Sequence, residues 1–172
     1  MIINIQPQGS ATWAQPIEML YACHGRVKRF CQQLKILPDY LIKNGVNQAV
    51  KNDIKQLITY FNIAAPLHHE DEELNFFPAL LKYQPQAQID IDKLESEHIS
   101  IHRIWAQLSV QLEELINEQR SEIDQKLLDD YTAAYARHIA LEEPLFELGQ
   151  HYIPEDELVA MGKIMADRRK VK

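Results

Sequence analysis

The chain has 172 residues, which is enough for one domain with a sizeable buried core. Its formal net charge of −7 argues against a nucleic-acid-binding protein, which would carry a basic face. No segment reaches the ~20 consecutive apolar residues of a membrane span, and residues 1–13 lack the basic and apolar regions of a secretory signal. We therefore expect a cytoplasmic protein.

The residue usage predicts an all-α protein, because Gly is scarce and the apolar residues are Leu, Ile and Ala more often than Val. Five helices are predicted, at about Gln15 to Leu37, Val46 to Tyr83, Asp90 to Asn117, Ser121 to Gly149 and Glu155 to Arg169. Short links between the four long helices make neighbouring helices antiparallel. We expect one domain over residues 1–172: an antiparallel up-down four-helix bundle, with its core at about 16–148, and a short extra C-terminal helix at about 155–169.

Prolines and capping residues set the expected helix ends. Leu37-Pro38-Asp39 should end the first helix, since an internal proline loses a hydrogen bond and clashes with the preceding turn. Pro66 should only kink the second helix, because the apolar face continues in phase on both sides of it. Asp90 or Asp92 is the expected cap of the third helix.

The C-terminal segment combines an apolar side with a basic end. Its apolar residues, which we expect to pack on the same chain, are Leu158, Met161, Ile164 and Met165. The basic residues are expected to be solvated or to form the cationic last turn of the helix, and they are Arg168, Arg169, Lys170 and Lys172. The pattern leaves both a monomer and a homodimer open.

Cysteine usage agrees with a reducing compartment. Cys23 and Cys31 are eight residues apart on one predicted helix, which separates them by about 12 Å along its axis. That distance is too long for a disulfide within the chain. Reduced thiols fit a cytoplasmic protein.

Each of the four long predicted helices directs one histidine to its apolar side. These four residues are His24, His68, His98 and His138. A single histidine on such a face is more often a hydrogen-bonded core residue than a metal ligand. Four of them on four consecutive helices indicate a shared site in the core.

Two of these histidines are followed by a glutamate four residues on, which places both side chains on one helix face. The pairs are His68 with Glu72 and His138 with Glu142, and His98 has a histidine, His102, at the same spacing. Imidazole binds Fe, Zn, Cu and Ni, and a carboxylate can join two metal ions. A buried glutamate without a cation is costly, so a metal is the simplest partner for both.

The remaining ionisable residues near these pairs are expected at the surface. His69 points about 100° away from His68, and His151 follows the expected helix end at Gly149. Solvated charges are expected at Glu70, Asp71, Glu73 and Glu143. Because Glu73 and Glu143 directly follow ligand candidates, they could also orient them.

The ordered set of motifs resembles the hemerythrin-like (HHE cation-binding) family. The segment His68-His-Glu-Asp-Glu-Glu-Leu-Asn-Phe-Phe-Pro78 is similar to its first motif, with a His, a Glu four residues on and a nearby Phe-Pro pair. Glu95-Ser-Glu-His98 resembles the third-helix motif, and His138-Ile-Ala-Leu-Glu142 the second His-x-x-x-Glu motif. His24 matches the single first-helix histidine. The resemblance covers about Pro16 to Leu148.

The resemblance implies a non-haem centre of two Fe ions bridged by Glu72 and Glu142. His98, His102 and His138 would bind one iron, and His24 and His68 the other. The iron with two histidines would keep an open position for a diatomic ligand, O2 or NO. Apolar walls from Leu20, Phe76 and Trp105 would limit access of water.

Three functions stay open from the sequence. The first is reversible binding of O2 or NO, or sensing or buffering of iron or redox state. The second is a di-iron enzyme for NO or peroxide reduction or for iron–sulfur cluster repair. The third is a non-catalytic helical module with a structural metal. The spacing of Glu142 from His138 resembles the wider bacterial family rather than the oxygen carriers, which have Asp five residues after that histidine.

Overall fold

The structure is a computed structural model that describes residues 11–170, and within them the secondary structure is helical with no strand. The prediction of an all-α protein is therefore confirmed. We number five helices: α1 (Pro16–Asn44), α2 (48–83), α3 (Gln88–Ile116), α4 (Gln125–Tyr152) and α5 (Glu155–Arg168). None of them is long and apolar enough to cross a membrane.

Helix α1 runs through Pro38 to Asn44, so the predicted end at Leu37-Pro38-Asp39 is wrong. Proline removes one hydrogen bond, but Leu37 and Leu41 on either side of it are both buried. Their burial offsets that loss and continues the helix. The chain turns at Gly45, whose positive φ of 63° favours glycine and whose N–H donates to the Leu41 carbonyl at 2.8 Å.

Helix α2 continues through Pro66, as predicted, and does so with two wide π turns at Tyr60–Ala64 and Glu72–Phe76. In an α-helix, residues four apart drift by about 40° around the axis. A π turn uses more residues per turn and removes part of this drift. Buried residues therefore recur at a spacing of four on the core side of α2: Leu57, Phe61 and Ala65, then His68, Glu72, Phe76 and Leu80.

Three other predicted helix ends need correction. Helix α3 begins at Gln88, so Asp90 lies in its first turn and neither Asp90 nor Asp92 is the cap. Helix α4 begins at Gln125, where the Asp124 side chain accepts from the N–H of Leu127 at 3.1 Å. Its other end lies beyond Gly149, at Tyr152, so His151 belongs to the last helical turn.

Gly149 is needed for packing rather than for ending the helix. A Cβ atom built there would lie 2.4 Å from Cε2 of Phe76, which is a clash. The absence of a side chain at this position lets α4 approach the second π turn of α2 closely.

The core consists of two apolar clusters at different levels of the helices. The first contains Val27, Ala65, Ile101 and Ile139, and the second contains Leu20, Phe76, Leu94 and Leu145, each with further residues. On every long helix the candidate His and Glu residues lie near the boundary between these two clusters. The polar site is therefore enclosed by apolar layers on both sides.

Helix α5 packs on the same chain, as predicted. Leu158, Met161 and Met165 are buried in the second apolar cluster, whereas Ile164 is half-exposed. Its most extensive contacts are with α1 and with the second π turn of α2.

Candidate metal centre

Seven buried polar side chains from four helices converge between the apolar clusters, and we call them the His–Glu cluster. They are His24 of α1, His68, His69 and Glu72 of α2, His98 of α3, and His138 and Glu142 of α4. Each is at most 3 % exposed. Six of them are predicted ligands from the sequence. The prediction that His69 lies at the surface is wrong.

The cluster divides into two groups whose potential ligand atoms lie within 4.8 Å of one another. The first group is His69, Glu72, His98 and His138, and the second is His24, His68, Glu72 and Glu142. Glu72 is common to both. A carboxylate shared in this way can join two metal ions.

The two glutamates face both groups. Glu72 Oε1 lies 2.8 Å from Nε2 of His68, and Glu72 Oε2 lies 3.4 Å from Nε2 of His98. Glu142 Oε2 lies 3.0 Å from Nε2 of His24 and 3.4 Å from Nε2 of His138. Both carboxylates therefore contact one histidine of each group.

Several buried atoms of the cluster form no hydrogen bond with the described residues, although histidine nitrogens lie close to the Glu72 oxygens. These atoms are both carboxylate oxygens of Glu72, Oε1 of Glu142, Nδ1 of His68 and Nε2 of His69. Leaving such atoms unpaired is costly. Within residues 11–170, moreover, the ion pairs of Glu72 and Glu142 are with histidines and not with Lys or Arg. These donor atoms fit one or two divalent metal ions.

Three histidines of the cluster have their Nδ1 atom close to a carboxylate outside the cluster. Nδ1 of His98 lies 2.6 Å from Glu73, Nδ1 of His24 lies 3.3 Å from Glu143, and Nδ1 of His138 lies 3.2 Å from Glu97. A carboxylate on Nδ1 fixes the ring and leaves Nε2 free to bind a metal. The orienting role considered for Glu73 and Glu143 therefore agrees with their positions.

Glu97 was not singled out by the sequence. It lies on α3 and its partner, His138, lies on α4, so no spacing within one helix reveals the contact.

His69 and His102 form a pair in which one ring is buried and the other is exposed. Nε2 of His102 lies 3.0 Å from Nδ1 of His69, whose ring stacks on His98 with centroids 3.9 Å apart. His102 belongs to neither group of candidate ligands. The metal-binding role of His102 stays a prediction, and the structure brings it next to the cluster behind His69.

Charges within the cluster shift the protonation equilibria of its members. Burial alone would lower the pKa of His68, but the Glu72 carboxylate raises that pKa well above its usual value. Burial alone would likewise lower the pKa of His98, and the nearby Glu72 and Glu73 carboxylates raise it to about 9. For Glu72, His68 and His98 outweigh burial and hold the carboxyl pKa well below its usual value. The pKa of His69 is well below normal because of burial and the nearby His98.

Asp71, next to Glu72, was expected to be solvated but is fully buried, so that prediction is wrong. Its carboxylate forms ion pairs with Arg168 and Arg169 of the C-terminal end. The same contact overturns the expectation that these two arginines are merely solvated. Lys172 lies outside the described residues. We call Asp71, Asn75, Arg168 and Arg169 the Asp71 cluster.

Aromatic rings surround the His–Glu cluster. The ring of Phe146 is 5.0 Å from that of His24, and the ring of Tyr135 is 6.1 Å from that of His69. Of the predicted wall residues, Leu20 and Phe76 are fully buried in the second apolar cluster. Trp105 packs on Phe61 and Tyr131.

A helical protein whose buried histidines and glutamates come from four helices has the arrangement of a metal-binding helical protein. The sequence model of one protein family, the hemerythrin HHE cation binding domain, matches residues 15–148 of the chain. The chain therefore belongs to the hemerythrin HHE cation-binding family, as the resemblance predicted. It is also 60% identical over 168 residues to an uncharacterized protein of Haemophilus influenzae (strain ATCC 51907 / DSM 11121 / KW20 / Rd), covering 98% of each chain. That similarity includes the C-terminal region beyond the family match.

Proposed function

We propose that the His–Glu cluster binds two metal ions. His69, His98 and His138 would hold one ion, and His24 and His68 the other. The observation that carries this proposal is the sharing of Glu72 between the two groups of ligand atoms, one oxygen facing His68 and the other His98. Glu142 would be the second shared carboxylate, since it contacts His24 and His138.

We propose iron as the metal. A mixture of imidazole and carboxylate ligands suits iron, and di-iron sites in helical bundles are built from such residues on facing helices. Five histidines and two glutamates would be the ligands, with His69 taking the position that the sequence resemblance assigned to His102. His102 would then orient His69 through Nδ1 and act from outside the ligand set.

The function we propose is binding of a diatomic molecule, O2 or NO, at this centre. A ferrous pair would supply electrons and an open coordination position for such a ligand. The chain contributes a dry environment, because Phe146 packs on His24 and is fully buried together with Leu20 and Phe76 in the second apolar cluster. The carboxylates of Glu73, Glu97 and Glu143 hold the histidine rings in fixed orientations.

The proposed architecture is an up-down antiparallel bundle of α1 to α4 in one domain of residues 1–172. Short connections between consecutive helices support it, as do the extensive contacts of α4 with both α1 and α3. We also propose a cytoplasmic location, since Cys23 and Cys31 are both unpaired and buried thiols.

An anaerobic titration tests the function. The purified protein, free of metal, is loaded with Fe²⁺, its iron content is measured, and its visible spectrum is followed on addition of O2 or NO and on degassing. We expect about two irons per chain, the number of proposed ligand groups, and a ligand-induced band that fades when the gas is removed. Irreversible oxidation without a band would exclude reversible binding and favour redox turnover, and absence of iron binding would exclude the metal centre.

A further inference from the structure

The C-terminal helix contacts, through Asp71, the part of α2 that carries the candidate metal ligands. Both oxygens of this fully buried carboxylate are used: Oδ1 pairs with Nη1 of Arg168, and Oδ2 accepts from Nη2 of Arg169 at 2.7 Å. A buried carboxylate needs such partners, since an unpaired one is strongly disfavoured. Helix α5 lies outside the residues that match the family, so the family match assigns no role to these arginines.

Arg168 contacts α2 on both sides of the Glu72 backbone. Besides its pair with Asp71, its Nη2 donates to Oδ1 of Asn75 at 2.6 Å, and its Nε lies 3.7 Å from Glu70. Asp71 immediately precedes the second π turn, and Asn75 lies within it. One planar guanidinium group therefore spans most of this turn.

Arg169 is itself held in place. Its guanidinium lies over the ring of Trp13 at 4.2 Å, and its Nη1 donates to the Met165 carbonyl at 2.8 Å. Trp13 can lie this close to α5 because of Gly162, where a Cβ would lie 1.9 Å from the Trp13 carbonyl oxygen. The C-terminal end of α5 is thus held in place by contacts that do not involve Asp71.

The π turn determines where the shared ligand points. Glu72 is its first residue, and the Glu72 carbonyl accepts the N–H of Phe77, five residues on. Conversion of this turn to α-helix would shift the hydrogen-bond register by one residue and rotate one side of α2 by about 100° relative to the other. His68 and Glu72 could then no longer face the core together with Phe76 and Phe77.

We propose that Arg168 is a positioning residue for the metal centre. By joining Asp71 to Asn75, it holds the π turn and thereby fixes the carboxylate of Glu72 between the two ligand groups. The inference rests on the proposed function, because it assigns Arg168 a role in metal binding. It predicts that loosening α5 increases the rate of metal release while the bundle stays folded.

The test uses the full chain loaded with Co²⁺, whose visible bands report coordination geometry. Dissociation is followed with excess chelator for the natural protein, Arg168→Gln and Asn75→Ala, and the thermal unfolding of each metal-free protein is recorded. Both variants keep the Arg169–Asp71 pair, so the buried carboxylate retains one cation. The matched control is Lys170→Gln, which removes the same charge from the same turn but whose residue pairs with Asp167 on the surface.

We expect Co²⁺ to leave Arg168→Gln and Asn75→Ala about tenfold faster than the natural protein, with altered bands, because residues that orient metal ligands affect affinity by that order. Lys170→Gln should match the natural protein. A lower unfolding temperature with unchanged dissociation and unchanged bands would mean that Arg168 only stabilises the fold, and would overturn the inference. Failure of the natural protein to bind either Co²⁺ or Fe²⁺ would instead overturn the proposed function.

Discussion

Two neighbouring buried carboxylates are compensated in different ways. Asp71 is paired with two arginines, whereas Glu72, the next residue, is surrounded by histidines and has both oxygens unpartnered by hydrogen bonds. The Asp71 cluster is complete with protein groups alone. The His–Glu cluster has donor atoms left over, which is the property that distinguishes a binding site from a structural ion pair.

The strongest way to break this comparison is to remove the shared ligand. Glu72→Ala should lose both metals, because it takes one ligand from each group at once. We expect elemental analysis to find a metal content close to zero in protein that has been purified without a nickel affinity column. Glu95→Ala, which removes an exposed glutamate of α3, is the matched control and should retain the natural metal content. Two metals retained in Glu72→Ala would disprove the shared position.

Substituting His69 or His102, whose rings are in contact, should have the next largest effect on metal binding. His69→Ala should remove a ligand and reduce the metal content to about one per chain, whereas His102→Ala should weaken binding only about tenfold by releasing the orientation of His69. Competition with a chelator measures both. The reverse order of effects would show that His102 is the ligand and that His69 supports it.

Removing the cations of the Asp71 cluster should destabilise the protein whether or not metal is bound. Arg168→Ala combined with Arg169→Ala leaves a fully buried carboxylate unpaired, which costs about 3–5 kcal/mol of unfolding free energy. Urea denaturation of the metal-free protein measures the loss. Lys170→Ala should change the unfolding free energy by less than about 0.5 kcal/mol; equal effects in the two proteins would contradict a structural role for the pair.

The smallest expected effect is the pH dependence of metal binding. The pKa of His98 is about 9 in the metal-free protein, so its ring is protonated at neutral pH and must lose a proton when Nε2 binds a metal. Metal affinity should therefore increase as the pH rises from neutral toward about 9. Calorimetric titrations in buffers of different ionisation enthalpy measure the protons released. A binding heat that does not depend on the buffer would refute this expectation.

Much of the candidate site follows from the local pattern of the sequence. Helical periodicity is a short-range property, and it correctly predicted that His24, His98 and His138 are buried. The error at His69 arose from the π turn at Tyr60–Ala64, because the wide turn rotates the following residues relative to an ideal α-helix. His68 and His69 consequently both face the interior.

Asp71 could not be predicted in the same way. Its partners lie 97 and 98 residues further along the chain, so its burial depends on where α5 packs. An acidic residue in an acidic stretch is usually solvated, and only tertiary structure reveals the exception. The continuation of α1 through Pro38 also depends on tertiary structure. Burial of Leu37 and Leu41 on either side of the proline outweighs the tendency of proline to end a helix.

Gly149 has a consequence for how the sequence can vary. Because any side chain there would meet the ring of Phe76, substitutions on α4 at this position would displace the turn that carries Glu72. Gly25 on α1, by contrast, has open space around it. In a library of random variants selected for metal retention, glycine should therefore persist at position 149 while alanine accumulates freely at position 25.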